Sequence, residues 1–250
     1  MREKVSIITV CYNAEQDLKK TIESVRNQTY KNIDYVIVDG ASKDGSVEVI
    51  KQNDDVVSRW ISEKDGGLYY AMNKGLDLAC GDYVLFLNAG DVFFEDATLE
   101  KMLACSQTAQ DIYYGDTMIL SSDGVALGRR RLALPKRLTA KSFRWGMTVC
   151  HQSVLIKKEL CSYYDTTYRI TADYDWVLSA IEKADESKIC NTGLFVSKFQ
   201  QGGISSKNIK KANMERFVIM KKHYGLIPTV WYNILMLFRL AYTYLKFGRI

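Results

Sequence analysis

Three polar interruptions of apolar runs, and one acidic helix start, carry the residue types from which a chemistry can be read. Tyr12 follows the run at residues 5–10, Asp39 closes "IDYVIVDG", and Asn88, Ala89, Gly90 and Asp91 break "VLFLNAGDVFF". An aromatic ring beside a carboxylate suits a nucleobase: the ring stacks and the carboxylate accepts the imino N–H of uracil. Asp91 supplies a hard oxygen, the kind a divalent cation prefers when it is held against a diphosphate. The competing reading of residues 88–91 is a plain turn, because Asn, Gly and Asp are all turn formers. Asp173, in "ADYDW", lies in the second half of the chain, where an acceptor could approach. The ordinary alternative for Asp173 is a helix-start acid favoured by the helix dipole.

Composition narrows the classes. A chain of 250 residues, 47% hydrophobic and 25% charged, can bury a full core and is not expected to be disordered. Six cysteines with no C-x-x-C pair and only two histidines argue against a thiolate zinc site and against a disulfide framework. Reduced thiols in a cytoplasmic setting are therefore expected. The N-terminal apolar run is too short for a secretion signal and lacks a cleavage site, so it reads as a buried first strand. Two basic stretches, residues 128–144 and 207–225, hold much of the net charge of +5. Such clusters attract nucleic acid, phosphorylated ligands or a lipid surface, or serve only as solvated faces. Aromatics near the first cluster form no stacking pattern, which disfavours nucleic acid.

The elements that must position these residues alternate through the first half. Strands at 5–10, 33–39, 56–62 and 82–88 are separated by helical spacing in "AEQDLKKTIESVRNQ", "SKDGSVEVIKQN" and "GGLYYAMNKGLDLACG", with Ser42 or Asp44 as N-cap of the second helix. This order implies an α/β fold with a mainly parallel sheet covered by helices on both faces. Ligands of such sheets sit beyond the carboxyl ends of the strands, where Tyr12, Asp39 and residues 88–91 all fall. Beyond residue 110 the spacing predicts a hairpin around 121–124, a strand running into a helix in "TVCHQSVLIKKEL", and a helix over "ITADYDWVLSAIEKA". The last segment, "LIPTVWYNILMLFRLAYTYLKFGRI", is apolar but broken by Arg239, Lys246 and Arg249. It reads as an amphipathic helix lying in a membrane interface, or as a helix docked on the domain. The turn after the first strand is not G-x-G-x-x-G, and no G-x-x-x-x-G-K-[ST] occurs, so dinucleotide and P-loop chemistry are disfavoured.

Over residues 4–205 the sequence resembles the family-2 inverting glycosyltransferases of GT-A fold. The resemblance rests on "VSIITVCYNAEQDLKKTIESVRNQTYKNIDYVIVDGASKDGS" and "SEKDGGLYYAMNKGLDLACGDYVLFLNAGD". "AMNKG", "HQ" at 151–152, "ADYDW" at 172–176 and "GGIS" at 202–205 are similar to the bacterial enzymes of O-antigen, colanic acid and capsule assembly. It implies that Thr9, Tyr12 and Asp39 contact the uracil of a UDP-sugar, and that the Asp-x-Asp element falls on Asn88, Ala89 and Gly90. Asn88 would then hydrogen-bond ribose, and Asp91 would be the remaining ligand for Mn²⁺ or Mg²⁺. Asp65, with Gly66 and Gly67, would approach the donor sugar. Asp173 would be the general base. His151 and Gln152 would touch diphosphate or acceptor, unless His151 is a buried structural histidine. Asp175 would position the helix or meet a sugar hydroxyl of the acceptor.

The expected organisation is a GT-A domain at 1–205, with a nucleotide-binding half at 1–110 and an acceptor half at 111–205. A basic, aromatic, membrane-associating helical extension follows at 206–250. The expected function is transfer of glucose or galactose from a UDP-sugar to GlcNAc-diphospho-undecaprenol, with a β-linkage, in O-antigen assembly. The expected location is the cytoplasmic face of the bacterial inner membrane, peripherally, without a nucleic-acid partner. The absence of Q-x-x-R-W argues for one sugar per acceptor. The alternatives are another polysaccharide pathway with a different nucleotide sugar, or a binding module on a degenerate GT-A fold.

Overall fold

The structure, a computed structural model, describes residues 3–121, 123–130, 132–202 and 208–247. Arg131, residues 203–205 of "GGIS", and Arg249 lie outside the described residues. The sheet begins with β1 (Val5–Cys11), β2 (Ile33–Asp39), β3 (Arg59–Ser62) and β4 (Tyr83–Phe86). Every residue of β1 and β4 is buried, as continuous apolar runs require when a parallel sheet is covered on both faces. Successive side chains enter opposite layers: Ile7 packs with Leu18, Ile22 and Leu85, whereas Ile8 packs with Val36, Met72 and Phe86.

Helix α1 (Glu15–Arg26) buries Leu18, Thr21, Ile22 and Val25 on one stripe, and α2 is Ser46–Lys51. Ser42 and Asp44 do not cap α2, whose N-cap is Gly45 without a side-chain bond. Asp44, one residue before that position, still accepts the Ser46 N–H at 3.0 Å at the start of α2. The Ser42 and Asp44 side chains also accept from Asn13 N–H at 2.8 Å and Glu15 N–H at 3.0 Å, at the start of α1. On the opposite face, α3 (Leu68–Leu78) lies so close to the sheet that a Cβ at Gly75 would collide with the Ile8 side chain.

The remaining elements are β5 (Val92–Phe93), α4 (Thr98–Leu103), β6 (Ile112–Leu120), β7 (Ala126–Arg129), β8 (Val154–Lys157), α5 (Ala172–Lys183), β9 (Ile189–Gln200), α6 (Ile209–Tyr224) and α7 (Leu226–Phe247). Nine strands form one sheet in the order β3-β2-β1-β4-β8-β6-β9-β5, with β7 paired antiparallel to β6. β1 is parallel to both β2 and β4, so the strand order switches direction at β1 and opens a crevice at its carboxyl end. β8 enters antiparallel between β4 and β6.

Three expectations need correction. The third strand starts at Arg59 rather than at residue 56, because residues 52–56 still belong to the turn that closes α2. "TVCHQSVLIKKEL" ends in a single 3-10 turn at Lys158–Leu160, not in a helix. Finally, the sulfurs of Cys105 and Cys190 meet, with Cα atoms 7.3 Å apart, although all six thiols were expected free. The 85 residues between them conceal that β9 runs beside α4. Cys11, Cys80, Cys150 and Cys161 are free.

Helix α6 is bound into the domain through α5. Asp175 is buried and accepts from Lys222 Nζ at 2.9 Å and His223 at 2.7 Å. Glu215 accepts the backbone N–H of Arg169, Ile170 and Thr171 at 3.0, 2.9 and 3.0 Å, just before α5 begins. Among the described residues, no helix is long and apolar enough to cross a membrane.

Candidate active site

Two clefts open at the carboxyl end of the sheet, with a polar chain of side chains beside the second. The first, of about 740 Å³, lies beyond β1 and β2 and is lined by Tyr12, Gly40, Lys43, Lys64, Asp65 and Gly67 among others. Tyr12 is 63% exposed, so its ring face is available to a flat partner. The loops beneath are cross-braced, Lys43 N–H donating to Asn13 Oδ1 at 2.8 Å. Asn13 and Ala41, the two non-glycine residues with positive φ among the described ones, hold left-handed backbone at this rim (φ 47° and 61°). Such conformations cost energy and persist where surrounding contacts over-determine them. One carboxylate oxygen of Asp65 pairs with Lys74, while the other is buried without a partner among the described residues.

Thr9 and Asp39 do not reach this cleft. Thr9 is fully buried and its hydroxyl donates to the Leu87 carbonyl at 2.6 Å, tying β1 to the end of β4. Asp39 is equally buried, accepting from Ser42 N–H at 2.9 Å and Ser62 Oγ at 2.6 Å, with the Ser42 hydroxyl also bound. Both brace the sheet beneath the cleft through these bonds.

Residues 88–91 are a turn and a site at once. Asp91 N–H returns to the Asn88 carbonyl at 2.9 Å, and Gly90 has φ +96°, the left-handed third position of a type II turn. Thr21 of α1 clamps it, accepting from Gly90 N–H at 3.0 Å and donating to the Asp91 carbonyl at 2.9 Å. From this turn Asn88 Nδ2 reaches His151 Nε2 at 3.2 Å, and His151 Nδ1 reaches Asp173 Oδ2 at 3.2 Å. Since the amide nitrogen only donates, Nε2 accepts and the imidazole proton sits on Nδ1, donated to Asp173. The other Asp173 oxygen accepts Tyr174 N–H at 2.9 Å and faces the Tyr69 hydroxyl at 3.5 Å. Tyr69, Tyr164 and Trp176 stack in series, with centroids 5.4 and 5.0 Å apart, which fixes α3 against α5 beneath Asp173.

Asp91 is buried, and Gln152 Nε2 donates to its Oδ2 at 3.0 Å. Burial, partly offset by Gln152, pushes its carboxyl up to about 6. Asn88 Oδ1 is buried with no partner among the described residues. An orphaned amide oxygen beside a buried carboxylate fits a hard cation that takes its other ligands from a diphosphate. The described residues contain no group of three His, Cys, Asp or Glu side chains able to hold a metal ion unaided.

The second cleft, of about 460 Å³, lies on the far side of Asp173, and His151, Gln152 and Asp173 form its inner wall. Asp175 lies outside both sets of lining residues; bound by Lys222 and His223, it anchors α6 and does not meet an acceptor. Four contributors escaped sequence reading. Lys43 and Lys64 line the first cleft, and Arg130 and Arg216 line the second. The basic stretches that hold the two arginines were visible, but not which members line the cleft, and Lys43 and Lys64 lie in neither stretch.

The profile of Glycosyl transferase family 2 matches residues 6–162. The chain belongs to this family. It is a glycosyltransferase, and its sheet and flanking helices are the GT-A architecture. Among curated relatives, the PGL/p-HBAD biosynthesis glycosyltransferase of Mycobacterium bovis (strain BCG / Pasteur 1173P2) is 30% identical over 182 residues, 68% of this chain and 67% of the relative. A glycosyltransferase of Mycobacterium tuberculosis (strain ATCC 25618 / H37Rv), Rv1514c, whose role is uncharacterized, is 32% identical over 184 residues, covering 70% and 68% of the two chains. Among solved structures, S. aureus TarS 1–349 superposes with TM-score 0.67 at 16% identity, over 87% of this chain and 65% of that one. The chain thus spans slightly less than two thirds of that fragment. The mannosyltransferase PcManGT from Pyrobaculum calidifontis, in complex with GDP-Man and Mn²⁺, gives TM-score 0.66 at 15% identity over 97% and 75%. At these identities the superpositions speak to the fold.

Proposed function

We propose that this glycosyltransferase moves a hexose, glucose or galactose, from a UDP-sugar to a lipid-linked diphosphate acceptor such as GlcNAc-diphospho-undecaprenol, with inversion. The observation that carries the reading is the polar chain Asn88–His151–Asp173, which sets a carboxylate at the wall of a second cleft while tying it to the donor-side turn. In this reading the first cleft takes the nucleotide, Tyr12 stacking on the base and Asp65 accepting from a hydroxyl. Asp173 accepts the proton of the attacking acceptor hydroxyl as its oxygen bonds the anomeric carbon, and the bond from that carbon to UDP breaks. His151 keeps the carboxylate turned toward the second cleft. Asn88 Oδ1 and Asp91 are the groups that would hold a divalent cation, which would supply neutralisation of the leaving diphosphate.

UDP as the carrier is supported by S. aureus TarS 1–349, a structure of the same fold in complex with UDP and with UDP-GlcNAc. Membrane association is supported by α7, where Leu226, Ile227, Val230, Trp231, Ile234 and Phe238 are all exposed along one helix. An apolar stripe of this kind lies down into a bilayer interface without crossing it. We place the protein at the cytoplasmic membrane face in O-antigen assembly, transferring one sugar per acceptor with a β-linkage.

A second reading, a binding module that has lost transfer, is favoured by one observation: Asn88 and Gly90 stand where the family's Asp-x-Asp element has acids. A panel of UDP-hexoses offered with GlcNAc-diphospho-lipid, followed by linkage analysis, separates the two. A single β-linked product supports transfer, while UDP binding with no product from any donor supports the module.

A further inference from the structure

The second cleft combines an apolar wall with two arginines, each of which has a buried nitrogen without a hydrogen-bond partner among the described residues. Ile119, Leu132, Met147, Ile170 and Phe199 supply the apolar side. Arg130, just past β7, and Arg216, on α6, both line it, one from each basic stretch. Arg130 Nη1 and Arg216 Nε are buried and lack any hydrogen-bond partner among the described residues. The Arg216 head lies over Gly146: a Cβ there would come within 3.7 Å of Nη1 and 3.2 Å of Leu132 Cδ1. Leaving guanidinium donors buried and unsatisfied is costly, and a bound anion would satisfy them.

We propose that Arg130 and Arg216 form an anion subsite for a phosphate group of the acceptor, whose hydrocarbon part lies along the apolar wall. This deepens the transferase reading and rests on it. Guanidinium donors match phosphate oxygens in geometry and charge, which a lysine pair would match less well. The first cleft, assigned above to the donor, has its own cations in Lys43 and Lys64 and shares no lining residue with the second. Asp173 forms the inner wall, so an acceptor held by its phosphate at Arg130 and Arg216 presents its sugar hydroxyls toward that carboxylate. The arrangement explains why an apolar cleft near a catalytic centre carries unpaired cations. It also gives α6 a role in binding beyond its packing on α5.

The test uses the full chain saturated with UDP and measures binding of decyl diphosphate, decyl maltoside and inorganic pyrophosphate by calorimetry. The wild-type protein is expected to bind decyl diphosphate at least about ten-fold more tightly than either of the others, and Arg130→Gln or Arg216→Gln to weaken it about ten- to a hundred-fold. The affinity for UDP, which also reports that each variant is folded, is expected to stay unchanged. Equal affinity for decyl maltoside and decyl diphosphate would overturn the anion subsite. Equal affinity for inorganic pyrophosphate would overturn the amphiphilic acceptor, and loss of UDP affinity in the arginine variants would reassign them to the donor. These outcomes are read on wild-type protein that binds UDP; failure to bind UDP at all would instead overturn the donor reading on which the proposal rests.

Discussion

Replacing Glu215 with alanine tests whether α6 positions α5, the helix that carries Asp173. Its carboxylate accepts three backbone N–H groups at 2.9–3.0 Å and the Thr171 hydroxyl at 3.2 Å, all within four residues of Asp173. Hydrogen bonds to a charged group contribute about 1.5–3 kcal/mol each, so a simple sum would reach about 6–12 kcal/mol. That sum overstates the loss, because Glu215 is only partly buried and water reaches the freed amides. The Asp175 contacts with Lys222 and His223 also keep α6 docked. We expect a loss of about 2–3 kcal/mol, equivalent to roughly 5–10 °C in Tm for a chain of this size. The effect on turnover should be larger than this stability loss implies, since displacing a reacting group by about 1 Å costs on the order of a hundred-fold. Glu215→Ala should lower kcat about ten- to a hundred-fold with UDP affinity unchanged, measured by calorimetry and by product formation under donor saturation. Burial opposes ionisation of Glu215, but the three N–H groups outweigh it and hold its pKa below the ordinary value. Its contribution is therefore present above the ordinary glutamate pKa and lost as pH falls through the lowered one. Wild-type Tm and kcat in Glu215→Ala would refute the reasoning.

Other consequences follow from the same geometry. Tyr12→Ala should raise the KM for donor about five- to a hundred-fold with little change in kcat, since stacking on a base contributes about 1–3 kcal/mol; an unchanged donor KM would remove Tyr12 from the nucleotide cleft. His151→Ala should reduce kcat about ten- to a hundred-fold while donor KM holds, because it frees Asp173 to rotate; steady-state kinetics with both substrates varied reads this split. The clamp between α5 and α6 should be pH-dependent. Burial opposes the charge on His223, but Asp175 and Glu182 outweigh it and raise its pKa. Burial likewise opposes ionisation of Asp175, but His223 and Lys222 lower its pKa. The histidine's contribution is full below about 6.5 and lost as pH rises through its raised value, while that of the aspartate is present above about 3.9 and lost as pH falls through its lowered value. Stability from the clamp should peak between these limits, and His223→Gln should flatten the decline of Tm from pH 6 to 9.

Much of this was legible in the chain itself, for reasons that differ by element. The β1-to-β4 alternation could be read because strands buried on both faces leave continuous apolar runs, as in "VSIITVC" and "YVLF". β9, the longest strand, was not read, since most of it is only half-buried and Gly193, at φ +68°, interrupts it. Its pairing to β6 also shifts register near Asp116. Asn88 and Asp173 stood out by residue type and His151 by resemblance, and the structure joins them by hydrogen bonds across 85 residues of chain. Thr9, Asp39 and Asp175 were placed on the right elements, and Asp175 does position its helix; each is held by a residue distant in sequence that no local pattern announces, Leu87, Ser62 and His223. The convergence of Arg130 and Arg216 has no local signal. Two basic stretches that lie far apart in the chain cannot announce which member of each lines the cleft.

The account turns on Asp173 as the group that accepts the acceptor's proton. Turnover by Asp173→Asn, measured beside its UDP affinity, tests this most directly: the amide keeps the shape and the Tyr174 N–H contact but cannot take a proton. We predict a fall in kcat of at least about a hundred-fold with UDP bound as tightly as by the wild type. Turnover within a few-fold of wild type would contradict the account, and the base would have to be sought elsewhere.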